Sequence, residues 1–157
     1  SGVIGLTLEK KVSTASVDLI DISKEALEVA KRNGKELNSN ANFIESDFFE
    51  RITKKYDVII SNPPYIAEEE EIEEIVKENE PHLALYAGKE GLDCYQKILE
   101  TIESNMKEKC LIAFEIGYQQ AERIIKSIQK NLKNIKIEVK KDMSGKDRMI
   151  FIFKNLE

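Results

Sequence analysis

Apolar residues recur along this chain with two different periods, and their alternation is its first structural signal. Short, nearly continuous apolar runs bounded by Asp, Ser, Gly or Pro occur at 16–21, 42–46, 56–61 and 110–116. Runs of that length and composition read as strands buried in a sheet. Between them the apolar positions fall at helical spacing. A helix is expected from Gly2 to about Lys10, and another after Ser23, a capping residue, with Ala26, Leu27, Ala30 and Leu37 on its inner face. Two more are expected: Leu92 to about Lys107, carrying Ile98, Leu99, Ile102 and Met106 inward, and Gln120 to Asn131, carrying Ile124, Ile125, Ile128 and Leu132. The acidic run Glu68 to Glu74, followed by Ile72, Ile75 and Val76 at helical spacing, predicts a solvated helix whose carboxylates favour its amino end. Strands alternating with helices predict an α/β sheet. The last two runs, 135–141 and 149–153, flank Ser144-Gly145-Lys146-Asp147, and so short a link predicts an antiparallel pair at the sheet edge.

The composition narrows the function more than the fold. At 157 residues the chain has the length of one domain, and no second domain is expected. Charged residues make up 34% and the net charge is −5, which disfavours a general nucleic-acid or membrane surface. No apolar stretch approaches a membrane span, and the opening residues lack the basic lead of a signal peptide, so a cytoplasmic location is expected. Cys94 and Cys110 are far apart, with no Cys or His at metal spacing, so no metal site is expected. Cys110 opens an apolar run and reads as a packed core thiol. His82, the only histidine, reads as a loop residue rather than a base.

The candidate chemistry lies at Asn62-Pro63-Pro64-Tyr65, directly after the apolar run Tyr56 to Ser61. That run reads as a buried central strand, and ligand sites of open α/β sheets lie at the carboxyl ends of such strands. A planar N–H₂ group, whether a glutamine amide or an exocyclic base amine, presents two donors in one plane. The side-chain oxygen of Asn62 can accept one. The carbonyl of Pro63 can accept the other, because two prolines fix φ and bring no competing N–H. Tyr65 can lie flat against the planar group and aim its nitrogen.

A cofactor side is legible in three further places. Ser1-Gly2 before a helix suits the second half of a glycine turn, where a missing side chain lets a ligand approach backbone and helix amino end. Asp21 ends the next strand 19 positions after Gly2, close to the spacing of about 20 between glycine turn and ribose-binding carboxylate in nucleotide-binding units. Asp47 follows the strand after that and could accept from an adenine amine. Phe48 could cover the adenine face, whereas Phe49 reads as core. Adenine, ribose and methyl acceptor then fall along adjacent strand ends, the layout of an S-adenosylmethionine pocket.

With these segments in view, the chain resembles the PrmC/HemK family of protein-(glutamine-N5) methyltransferases, which modify class-1 peptide release factors. The resemblance runs through Ser1 to Leu6, Asp21-Ile22-Ser23, Ser46 to Phe49, Ser61 to Ile66, Glu80-Pro81, Gly88 to Tyr95, Glu115-Ile116-Gly117 with Gln119-Gln120, and Asp142 to Arg148. It implies a Rossmann-like class I methyltransferase sheet with helices on both faces. It further implies that Gly2, Asp21, Phe48 and Asn62 contact S-adenosylmethionine, with Asp47 beside them, and that Asn62, Pro63, Pro64 and Tyr65 hold the glutamine. The family pattern also includes an amino-terminal helical domain and a first strand, so this chain is expected to begin inside the glycine turn. At Cys94 the family more often carries an aromatic or larger apolar residue, a packing change. Two other readings stand beside this one: a nucleic-acid amino-methyltransferase of the adenine-N6 type, which normally wants a basic face, and a truncated, non-catalytic domain.

Overall fold

In a computed structural model, residues 1–70 and 74–156 are described, with only the backbone of Ile75, Val76 and Glu78. They form two compact units, Ser1–Thr53 and Lys54–Glu157.

In the first unit, α1 (Val3–Lys11) leads to β1 (Asp18–Asp21), α2 (Lys24–Glu36) and β2 (Asn42–Glu45). Strands β1 and β2 pair in parallel, Asp18 opposite Asn42 and Asp21 opposite Glu45. Ser23 caps α2 as expected: its hydroxyl accepts from the Ala26 N–H at 3.1 Å. Leu6, Leu27 and Ala30 are buried. Leu37, expected on the inner face, is 46% exposed. It is the C-cap of α2, and Asn38 then turns the chain at φ 49°, which carries Leu37 off the apolar stripe. Helix and strand pack closely enough to need glycine, since a Cβ on Gly5 would lie 2.4 Å from Leu19.

In the second unit, β3 (Tyr56–Ser61) is followed by α3 (Glu74–Asn79), α4 (His82–Leu85), α5 (Asp93–Thr101), a 3₁₀ turn (Ile102–Asn105), β4 (Met106–Glu115), α6 (Ala121–Asn131), β5 (Ile135–Lys141) and β6 (Asp147–Lys154). The strands form one mixed sheet in the order β3-β4-β6-β5. The expected closing hairpin is there: β6 runs antiparallel to both β4 and β5. Strand β3 pairs in parallel with β4, Ser61 opposite Phe114. It is the edge of this sheet rather than a buried central strand. Ile59 is buried, but Val58 and Ile60 share the other face and are each 42% exposed.

The helix expected from Leu92 to Lys107 is shorter. It ends at Thr101, tightens into the 3₁₀ turn and becomes strand at Met106. Side chains explain the stop: the Thr101 hydroxyl bonds back to the carbonyls of Lys97 and Ile98, the Ser104 hydroxyl to that of Thr101, and the Asn105 amide donates to the Lys54 carbonyl at 3.0 Å. Ile98, Leu99, Ile102 and Met106 are nevertheless all buried, because the 3₁₀ turn keeps the apolar side inward. Of the acidic run, Glu68–Glu70 form a turn closed by the Glu70 N–H on the Ala67 carbonyl, and Glu74 belongs to α3, while residues 71–73 lie outside the described residues. Ile72 and the side chains of Ile75 and Val76 lie outside the described residues. His82 is the first residue of α4 rather than a loop residue, exposed and stacked on Tyr86 at 4.4 Å.

The core of this unit is Ile112 and Phe114 of β4 and Ile150 and Ile152 of β6, with Tyr95, Ile98, Ile124 and Ile128 from α5 and α6. Tyr95 meets Phe114 edge-on at 5.8 Å. Cys110 is fully buried, and burial, helped by Asp57, pushes its thiol up to about 11, which suits a packed and unreactive side chain. On the outer strand β5, Glu138 bridges Lys136 and Lys140.

Phe114→Ala should cost about 3–5 kcal/mol of stability, the range for truncating a fully buried Phe. A urea titration that shows a loss below about 1 kcal/mol would mean that this core collapses around the gap.

Candidate active site

The cofactor-side residues of the first unit sit at the carboxyl ends of β1 and β2 and the amino end of α1. Gly2 is the N-cap of α1 at φ 71°, a left-handed conformation that glycine adopts without cost. A Cβ there would stand 2.9 Å from the Ala30 Cβ. The preceding carbonyl, of Ser1, is held by the Asn33 amide at 3.0 Å, so α2 fixes the turn. Asp21 accepts the Ser23 N–H on Oδ1 at 2.9 Å, which orients the carboxylate. Among the described residues no donor reaches Oδ2.

The ends of the two strands are tied by the Ser46 N–H on the Asp21 carbonyl, 3.1 Å. Ser46 is buried, and its hydroxyl accepts from the Arg51 N–H. That bond closes the turn carrying Asp47 and Phe48. Phe48 has φ 45°, a left-handed backbone that costs a non-glycine residue on the order of 1 kcal/mol. Asp47, Phe48 and Phe49 are all half-buried, so Phe49 is not the core residue that its apolar character suggests. Gly2, Asp21, Asp47 and Phe48 thus belong to one unit and to one end of its strands.

In the second unit Asn62 is exposed directly beyond β3, Pro63 is buried, and Pro64 and Tyr65 are half-buried. The chain after the loop is pinned. The Ile66 N–H donates to the Leu85 carbonyl and the Ala87 N–H to the Ile66 carbonyl, both at 3.0 Å, and the Glu68 N–H donates to the Gly88 carbonyl. Tyr95, below, donates its hydroxyl to the Glu115 carbonyl at 2.6 Å, and burial raises its pKa, so it stays a neutral donor.

Gln120, to which the sequence reading gave no role, is buried between three loops. Its Nε2 donates to the Tyr65 carbonyl at 2.8 Å, to the Gly91 carbonyl at 3.2 Å and to the Glu90 carbonyl at 3.4 Å. Its Oε1 accepts from the Gly117 N–H at 3.1 Å. The sequence signal for it was the amide beside Gly117 at a helix start, a pattern too common to stand alone.

The loop after β4 has a second anchor. Arg148 donates to the Ile116 carbonyl at 3.2 Å and, through Nε, to Asp142 at 3.4 Å. Asp142 also accepts the Ser144 and Lys146 N–H groups. These bonds, the Lys146 N–H foremost, hold its carboxyl below the ordinary aspartate range against partial burial. No group of carboxylates, thiols and imidazoles able to hold a metal occurs among the described residues.

Comparison with known proteins identifies the fold and the family. The fold matches the ribosomal protein L11 methylase of Lactobacillus delbrueckii subsp. bulgaricus with a TM-score of 0.69 at 19% identity, over 96% of this chain and 63% of that one. It matches the plantazolicin methyltransferase BpumL, in complex with SAH, with a TM-score of 0.59 at 14% identity, over 96% and 71%. The fold is therefore the Rossmann-like one of class I methyltransferases. The family model for the methyltransferase small domain matches residues 1–86, and the chain belongs to that family. Among curated relatives, it is 44% identical over 155 residues to the release factor glutamine methyltransferase of Bacillus subtilis, covering 96% of this chain and 54% of the relative. It is 40% identical to that of Streptococcus pneumoniae, covering 97% and 55%. The chain spans about half the length of the curated relatives it matches.

Because the folded pKa of Asp142 is lowered, its contribution to stability is present at neutral pH and is lost as pH falls through that pKa. Asp142→Asn should lower the unfolding midpoint at neutral pH and lose part of the wild-type dependence on acid. Parallel acid dependences of the two proteins in denaturant titrations would show that the carboxylate is idle.

Proposed function

We propose that residues 1–157 are the catalytic domain of a protein-(glutamine-N5) methyltransferase, which transfers a methyl group from S-adenosylmethionine to the side-chain amide of a glutamine in class-1 peptide release factors. The observation that carries this reading is Asn62-Pro63-Pro64-Tyr65 at the end of β3, in a chain 44% identical to a release factor glutamine methyltransferase over nearly its whole length. The location consistent with that substrate is the cytoplasm. Among the described residues, no helix is long and apolar enough to cross a membrane. The net charge of −5 supports a protein substrate over the alternative, a base in nucleic acid.

The residues of the first unit suit the cofactor. SAH in the BpumL complex is the demethylated form of S-adenosylmethionine, which would supply an electrophilic methyl group when bound. Asp21, its carboxylate oriented by the Ser23 N–H with Oδ2 open, would accept from the ribose hydroxyls. Gly2 would let the ligand approach the amino end of α1, Asp47 would accept from the adenine amine, and Phe48 would cover its face. Asn62 would contact S-adenosylmethionine as well.

For the glutamine, the Asn62 side-chain oxygen and the Pro63 carbonyl would each accept one amide hydrogen, while Tyr65 lies against the amide plane. An amide nitrogen is a poor nucleophile because its lone pair is delocalised. Two fixed acceptors would draw electron density toward that nitrogen and hold it on one line of approach; the nitrogen would gain the methyl as the sulfur–methyl bond breaks, leaving S-adenosylhomocysteine, and the amide proton would pass to water. No strong base is required.

Asn62→Ala should leave folding intact and lower turnover about 10²–10³-fold, the usual cost of one preorganised polar partner. Mass spectrometry of a release factor incubated with the intact protein and cofactor should show one added methyl on the glutamine-bearing peptide. Methyl transfer to DNA or RNA alone would overturn the assignment.

A further inference from the structure

We propose that Gln120 is a positioning residue, whose amide fixes the substrate loop Asn62–Tyr65 by holding the Tyr65 carbonyl. The role rests on the reading of that loop as the glutamine site.

The loop cannot fix itself. Pro63 and Pro64 have no N–H, so two of its four backbone donors are missing, and Asn62 is exposed at its start. The C-terminal end of the loop is the end that can be anchored. There the Gln120 amide makes its shortest bond, 2.8 Å to the Tyr65 carbonyl, one residue before the Ile66 N–H is taken by the Leu85 carbonyl.

The orientation of the Gln120 amide is dictated by its surroundings. One side offers three carbonyls, Tyr65, Glu90 and Gly91, and the other a single N–H, that of Gly117. Two donated hydrogens shared among three acceptors, with Oε1 taken by Gly117, leave the buried amide fully satisfied and with one way round.

Two glycines make the space for it. A Cβ on Gly91 would lie 2.2 Å from the Tyr65 carbonyl oxygen and 2.7 Å from Gln120 Nε2, and one on Gly117 would lie 2.8 Å from Gln120 Oε1. The close approach of Gly91 to Tyr65 is thus part of the same joint. Since Gln120 is the N-cap of α6 and lies five residues beyond the end of β4, it links the substrate loop to the exit of a strand whose Cys110, Ile112 and Phe114 are buried. Asn62 and Pro63 then inherit the rigidity of that strand. A shift of about 1 Å in a positioning group can cost roughly 10²-fold in rate.

The test uses three variants of the intact protein. Gln120→Leu keeps most of the volume and removes every polar contact. Its turnover on release factor should fall by about ten- to a hundredfold. Amide hydrogen exchange at Ile66, Glu68 and Ala87 should speed up while Ile112 and Ile152 stay protected. Gln120→Glu puts a carboxylate against three carbonyls, so its turnover relative to wild type should recover as pH falls and the protonated acid donates to Tyr65 again. Gly91→Ala should reproduce the exchange signature if it folds. Unchanged exchange at Ile66 and Ala87 in Gln120→Leu, faster exchange with unchanged turnover, or a pH-independent Gln120→Glu would each overturn the proposal. The exchange measurement needs no substrate. If the loop loosens as expected but wild-type protein transfers no methyl to release factor, the functional assignment fails, and with it the catalytic part of this role.

Discussion

The parallel pairing of β3 with β4 is the constraint on which the candidate active site depends. Parallel strands emerge at the same edge of a sheet, so the loop after Ser61 and the loop after Glu115 leave side by side. From that second exit comes the side chain that holds the Tyr65 carbonyl: Gln120 bonds it directly, Gly117 holds the Gln120 amide, and Arg148, from β6, ties down the exit itself through the Ile116 carbonyl. Had β3 and β4 been antiparallel, the same side chains would have stood at opposite ends of the sheet. The antiparallel β6 contributes for a related reason. Its amino end lies at the carboxyl end of β4, which brings Asp142 and Arg148 under the same edge.

The two groups of candidate residues are built by different physics. In the first unit, backbone conformation does the work. Gly2 and Phe48 both adopt left-handed φ, and a carboxylate turn at Asp21 and a hydroxyl-closed turn at Ser46 follow two short strands. In the second, two prolines remove the donors that would make a conventional turn, and side-chain amides and a guanidinium supply the missing order from outside. An amide that bonds four backbone groups is costly to bury unless all are satisfied. That condition ties Gln120, Gly91 and Gly117 together as a set.

Most of the architecture was legible because the hydrophobic period changes cleanly along the chain. The types of β1 to β6, α1, α2 and α6 follow from it, as does the final hairpin, although β4 begins at Met106, inside the helix expected to run to about Lys107. What was not legible depended on local competition or on neighbours. The helix break at Thr101 comes from hydroxyl and amide groups bonding back to the chain, which leaves the apolar spacing untouched. The edge position of β3 is invisible in an apolar run such as Val58-Ile59-Ile60, which looks the same with one neighbour or two. Leu37 fits the helical stripe by spacing and misses it by one residue of helix length. For the site, the sequence marked Asn62 to Tyr65 and Asp21 through composition and spacing. It could not mark Gln120, whose partners are carbonyls from loops 29 to 55 residues away and carry no side-chain signature.

The outer strand of the four-stranded sheet illustrates a different kind of selection. Strand β5 is seven residues long and carries a free backbone edge, a shape that templates the addition of further strands from other molecules. Its charges alternate in sign on one face, Lys136, Glu138 and Lys140, with Lys141 paired to Asp147 beyond. Any strand docking there would have to strip water from a row of lysines. The fold can therefore end in a long ribbon, its register broken only between Lys140 and Lys141, without becoming adhesive, and colloidal stability is written into the same residues that close the sheet.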